Sequence, residues 1–219
     1  MLNGIEVRII GCLIEKEITT PDYYPLTLNS LTNACNQKSN RIPVVSYDEP
    51  AIEHWLGELR RKGIVQFINT PGSRMVKYRH SFLEEFGLIP REAVILCELM
   101  LRGPQTIGEI RGHASRMYQF KGLEEVEETL KVLIERENPL IIRLQLQTGK
   151  KEARYMHLLS DISEYLEKEQ DASAASYGGK GLIDNERIDK LEKEVSSLKT
   201  ELENLRTLFE EFRNQFHVT

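Results

Sequence analysis

One pattern, three helical segments followed by a β-hairpin, runs through this 219-residue chain twice, and such repetition fixes the unit of folding before any single motif does. The third helical segments place their inward leucines 74 residues apart, Leu56 with Leu130 and Leu59 with Leu133. The hairpins end on Tyr78-Arg79-His80 and Tyr155-Met156-His157, 77 residues apart. Glu92-Ala93-Val94-Ile95-Leu96 echoes Glu6-Val7-Arg8-Ile9-Ile10 at the start of each copy. Three helices closed by a hairpin make a winged helix-turn-helix. The expected class is therefore mainly α with small β-hairpin wings (α+β). Two tandem winged-helix domains cover residues 1–87 and 88–168, a flexible linker covers 169–183, and a coiled-coil helix covers 184–219.

Local signals place the elements. Val7, Ile10, Leu13 and Ile14 mark a helix from about Asn3 to Glu17. Thr27 is a candidate N-cap for a helix reaching about Asn36, and Asp48 caps the third helix, with Pro50 in its first turn. Ile42-Pro43-Val44-Val45 reads as a short edge strand. Strands at 64–68 and 75–79 flank a Pro71-Gly72 turn. Ser81-Phe82-Leu83-Glu84 and Thr106-Ile107-Gly108-Glu109 both have capping-box spacing, and Pro90 opens the helix between them. The last helix of the second copy spans about 123–137, and its wing runs from Leu140 to Leu159 around Gly149.

The tail carries apolar residues at Ile188, Leu191, Val195, Leu198, Leu202, Leu205, Phe209, Phe212 and Phe216, in alternating steps of three and four. That is a heptad seam, and β-branched Ile188 and Val195 at a with Leu191 and Leu198 at d favour a parallel pair. The g-to-e pairs Arg187–Glu192, Glu194–Lys199 and Glu201–Arg206 are all opposite in sign. A homodimer through this helix is expected. The competing arrangement packs a single amphipathic helix against the body, and the bulky phenylalanines favour it locally.

Charge narrows the partners. The net charge of −5 resides in the tail: residues 1–87 carry ten basic and ten acidic residues, 88–160 eleven and ten, and 161–219 eight and fourteen. Near-neutral repeats bind nucleic acid only through basic residues gathered on one face. In the first copy the candidate DNA-contacting residues are Lys38, Asn40 and Arg41 after the second helix, His54 and Arg61 on the third, and Arg74, Lys77 and Arg79 on the wing. The third helix of the second copy instead shows Glu124, Glu127, Glu128 and Glu135 against Lys131. A carboxylate about 6 Å from a phosphate costs roughly 0.7 kcal/mol in a water-like dielectric and about 3 kcal/mol at an effective dielectric of 20. Glu124, Glu128 and Glu135 are therefore candidate protein-docking residues.

No zinc-helix motif, phosphate loop, dinucleotide fingerprint or nucleophile elbow occurs, so no catalytic, metal or cofactor residues are assigned and an enzyme is not expected. His80 and His157 occupy equivalent wing positions, which points to a structural role. Cys12, Cys35 and Cys97 lack any paired spacing and read as buried free thiols of a cytoplasmic protein. No apolar run approaches the roughly 20 residues that span a bilayer, so no membrane partner is expected.

Thr19-Thr20-Pro21, Tyr24-Pro25-Leu26, Ala34-Cys35-Asn36-Gln37-Lys38 and Asn40-Arg41 resemble the first half of the YceH-like bacterial proteins. Leu101-Arg102-Gly103-Pro104-Gln105-Thr106, Arg116-Met117-Tyr118 and Arg154-Tyr155-Met156-His157-Leu158 resemble the second half. The resemblance covers residues 3–159 and implies two winged-helix domains, with no activity and no functional residue. The functional expectation is a dimeric DNA-associated regulator whose first winged helix contacts duplex DNA. Its competitor is a scaffold in which both winged helices dock proteins.

Overall fold

Asn3 starts the first helix by accepting the backbone N–H of Ile5 and Glu6, while Glu6 returns a bond to the N–H of Asn3 at 2.9 Å. The computed structural model describes residues 1–69, 75–146 and 151–163. Helix α1 spans Gly4–Thr19, and a 3-10 turn at Pro21–Tyr23 leads to the two-residue strand β1, Leu26–Thr27. Thr27 caps α2 (Leu28–Cys35) through Ser30, and Asp48 caps α3 (Glu49–Arg61) through Ala51. Strands β2 (Val65–Asn69) and β3 (Val76–His80) complete the first copy, in a sheet of order β1-β3-β2. The short helix α4 (Phe82–Phe86) links it to the second copy: α5 (Pro90–Arg102), α6 (Ile107–Ala114), α7 (Leu123–Ile134), β4 (Ile141–Arg143) and β5 (Tyr155–His157). The class among the described residues is mixed α+β, with seven helices and small antiparallel sheets.

The repetition extends to individual contacts. Leu26 pairs with Tyr78, and Gln105 bridges Tyr155, each just before the threonine that caps the next helix. Gln105 and Tyr155 exchange both backbone hydrogen bonds, at 3.1 and 2.8 Å, doing for the second sheet what β1 does for the first. Glu6 and Glu92, each in the first turn of its helix, are both buried. Each meets a cation just past the third helix of its copy: Lys62 lies 2.6 Å from Glu6 and Arg136 lies 3.7 Å from Glu92. Lys62 and Arg136 are 74 residues apart, the offset of the leucines.

Helices α1 and α5 pack against each other and join both copies into one continuous core, from Leu2 to Leu159. Gly11 permits this approach, because a Cβ there would stand 2.9 Å from Leu101 Cδ2. The Cys97 thiol donates to the Gly11 carbonyl at 3.3 Å across the same crossing. All described residues fall within one compact unit, Met1–Glu164, so the boundary expected at 87/88 lies inside it.

Two local expectations need correction. Ile42–Val45 forms no strand; the third strand of the first sheet is Leu26–Thr27. Ser81 does not cap α4 with its side chain: its ψ is 19° rather than extended, and its hydroxyl is buried without a partner. The Pro71-Gly72 turn, Arg74, Gly149, the linker at 169–183 and the whole seam from Ile188 to Phe216 lie outside the described residues. No described helix is long and apolar enough to cross a membrane.

Candidate nucleic-acid interface

Helix α3 buries Ile52, Leu56 and Leu59 and turns Glu53, His54, Arg60 and Arg61 to solvent. The 3.6-residue period produces that division, with apolar residues at steps of four and three on one side. His54 stands edge-on to Trp55, ring centroids 5.0 Å apart. Arg60 lies over the Phe67 ring of β2 at 4.6 Å, which ties the end of α3 to the hairpin by a cation–π contact. Arg61 pairs with Glu58 one turn back, which offsets part of the positive charge on this face.

On the hairpin, strand alternation sends Tyr78 and His80 inward and leaves Lys77 and Arg79 half-buried on the other side. Arg79 lies 3.6 Å from Glu84, a long contact at a 39 %-exposed side chain that leaves it able to meet another anion. Among the described residues, Lys77 makes no ion pair.

Two sequence-assigned residues are committed elsewhere. The Arg41 side chain has no exposure; it donates twice to Glu15, at 2.6 and 3.2 Å, and to the carbonyls of Ala34 and Asn40. No guanidinium surface remains for a phosphate, so Arg41 leaves the candidate set. Beside Arg41, the Glu15 carboxyl is held below its usual range although burial pushes it up. Asn40 has left-handed backbone, φ 60°, and its side-chain oxygen accepts from Arg102 at 2.8 Å, which draws it toward α5. Lys38 is exposed beside it, on a cleft between the copies.

On α7, Glu124, Glu127, Glu128, Lys131 and Glu135 are all exposed, and Lys131 lies 3.8 Å from Glu135. Leu123 and Val132 are also exposed on this helix, at 49 % and 46 %. Three acids too buried for such a surface, Glu6, Glu92 and Glu98, are paired within the fold.

His80 and His157 are buried at equivalent hairpin ends but differ in surroundings. His80 Nε2 lies 2.9 Å from Glu17, which opposes the lowering of its pKa by burial. His157 is pushed down to about 4 by burial alone. The three cysteines are buried free thiols. Among the described residues, no group of three or more His, Cys, Asp or Glu side chains is arranged to hold a metal.

A family model described as "Protein of unknown function, DUF480" matches residues 2–150, well over half the chain. The chain belongs to the DUF480 family. The YceH-like proteins are the same family. Among its relatives is a UPF0502 protein of Pelobacter propionicus, 47% identical, with 99% of this chain and 98% of that protein covered. UPF0502 proteins of Geotalea uraniireducens and Geobacter metallireducens are 48% and 49% identical, covering 98% and 99% of this chain and 98% of each of theirs. The DUF480 match takes in the first copy and the second copy up to residue 150, including α3, the first hairpin and α7 but not β5.

Proposed function

We propose that each copy is a winged helix-turn-helix unit and that the protein is a dimeric, cytoplasmic, DNA-associated regulator. The first copy lays α3 in the major groove and rests its hairpin on the backbone, the usual disposition of such units. His54 and Arg61 face the groove, and Lys77 and Arg79 meet phosphates, with Arg74 extending the hairpin's row in sequence. The observation that supports this most is the joint presentation of cations by α3 and the hairpin, locked together by Arg60 over Phe67. The heptads at 188–216 supply the dimer contact.

A second reading rests on α7. Four exposed carboxylates with Leu123 and Val132 among them suit a basic, partly apolar protein surface and repel phosphates. The second copy then docks a protein while the first holds DNA. The test is fluorescence anisotropy with duplex DNA. Reversing Arg61, Lys77 and Arg79 together to Glu weakens binding about tenfold or more at low salt, and reversing Glu124 and Glu128 to Lys does not weaken it. Unchanged affinity in the triple variant contradicts the proposal.

A further inference from the structure

A cleft of about 520 Å³ opens where the two copies meet. Corresponding segments of the repeat line it: the ends of α1 and α5, and the loops that follow α2 and α6. Lys16 and Arg102, 86 residues apart like Glu6 and Glu92, both face it. Lys38 enters from the first copy and Arg116 from the second.

The acids on this wall are already neutralised. Glu15 is held by Arg41 at 2.6 Å and by Lys16 at 3.3 Å, and Glu98 by Arg102 at 2.7 Å. Arg102 also donates to Asn40, so the wall is braced across the seam. With Arg41 behind Glu15, five cations stand against two carboxylates. Among the described residues, Gln37, Lys38, Ser39 and Arg116 make no side-chain hydrogen bond or ion pair. Unspent donors from both copies therefore converge on a concave, net-positive space, where a partly desolvated anion gains more than at an open surface.

We propose that this cleft binds a small organic anion bearing phosphate or carboxylate groups. Lys38 and Arg116 are its direct ligands, Gln37 and Ser39 supply neutral donors, and Lys16 and Arg102 supply the surrounding field. Because the ligands come from both copies, occupancy holds the α1–α5 seam closed and raises the unfolding midpoint by linkage. The site stands on its own geometry and does not require DNA binding.

Titration calorimetry and thermal unfolding of the full chain test it with two probes, inorganic pyrophosphate and citrate. Saturable binding with a Kd of about 1 mM or tighter by at least one probe is expected. Saturation by pyrophosphate alone identifies a phosphate ligand, by citrate alone a polycarboxylate, and either supports the site. Lys38→Glu and Arg116→Glu, both exposed positions, each weaken the binding about tenfold or more, the loss of a charge-assisted contact. Lys131→Glu on α7 leaves it unchanged. Failure of both probes to saturate overturns the proposal, as does wild-type affinity in either cleft variant. Lys38 and Arg116 are untouched in the DNA variants above, so the two readings fail separately.

Discussion

Between α3 and α7 the packing is shared and the outward charge differs, mixed on α3 and acidic on α7. Both follow a second helix capped by threonine, both bury leucines 74 residues apart, and both end beside a cation that reaches back to a buried glutamate. Yet α3 shows Glu53, His54, Arg60 and Arg61 to solvent, a mixed face, where α7 and its C-terminal end show four carboxylates and one lysine. Inward positions of a repeat are fixed by the core each must fill, while outward ones are free to follow different partners. The two copies therefore present one shared core beneath two differently charged surfaces.

The loops after α2 and α6 give the sharpest way to break that parallel. In the first copy the loop is anchored by Arg41, fully buried on Glu15. Arg41→Ala leaves Glu15 without its main partner, and urea unfolding should show a loss of about 3–5 kcal/mol. In the second copy the loop is held at the surface by the Tyr118 hydroxyl and Lys121 N–H on Glu125. Tyr118→Phe should barely move the same midpoint. Equal effects would mean the loops are anchored alike.

The paired histidines come next. The depressed pKa of His157 means the folded state binds fewer protons than the unfolded state between about pH 4 and 6.5. Stability from this residue is complete above pH 6.5 and falls by about 3 kcal/mol as the pH drops toward 4. His157→Phe should flatten the pH dependence of urea unfolding over that window. His80→Phe should flatten it less, because Glu17 favours the charged ring. The reverse order would contradict the assigned surroundings.

At the seam, Gly11→Val places a branched side chain where even a Cβ meets Leu101 at 2.9 Å. Thermal unfolding should register about 1–3 kcal/mol of overpacking. Smallest are the caps: Thr27→Ala and Thr106→Ala should each cost about 1 kcal/mol. Thr106→Ala should cost the less of the two, because the backbone N–H of residue 106 still donates to Glu109 at 2.8 Å, a bond for which α2 has no equivalent.

Much of the scaffold was legible because the repeat wrote it twice. Leucine spacing placed α3 and α7, and Thr27, Asp48 and Thr106 marked their helix starts as the structure has them. Length set the limits. A two-residue strand such as Leu26–Thr27 leaves no alternation to read, and the β-branched Val44-Val45 suggested a strand that finds no partner. Arg41 was misread because its neighbours Gln37 to Asn40 are polar, whereas its burial depends on Glu15, 26 residues away. The cleft was invisible for a like reason: Lys38 and Arg116, 78 residues apart, line one space where the α1 and α5 ends of the two copies come together.

Under the proposal, the cationic residues of α3 and the first hairpin contact duplex DNA. The most direct test is the affinity of the full chain for a random-sequence duplex, by fluorescence anisotropy across a salt series. Binding is expected at low salt, with log affinity falling linearly with log salt by about 0.9 for each phosphate neutralised. No binding at low salt, or binding indifferent to salt, would contradict the proposal and leave the acidic face of α7 as the surface to pursue.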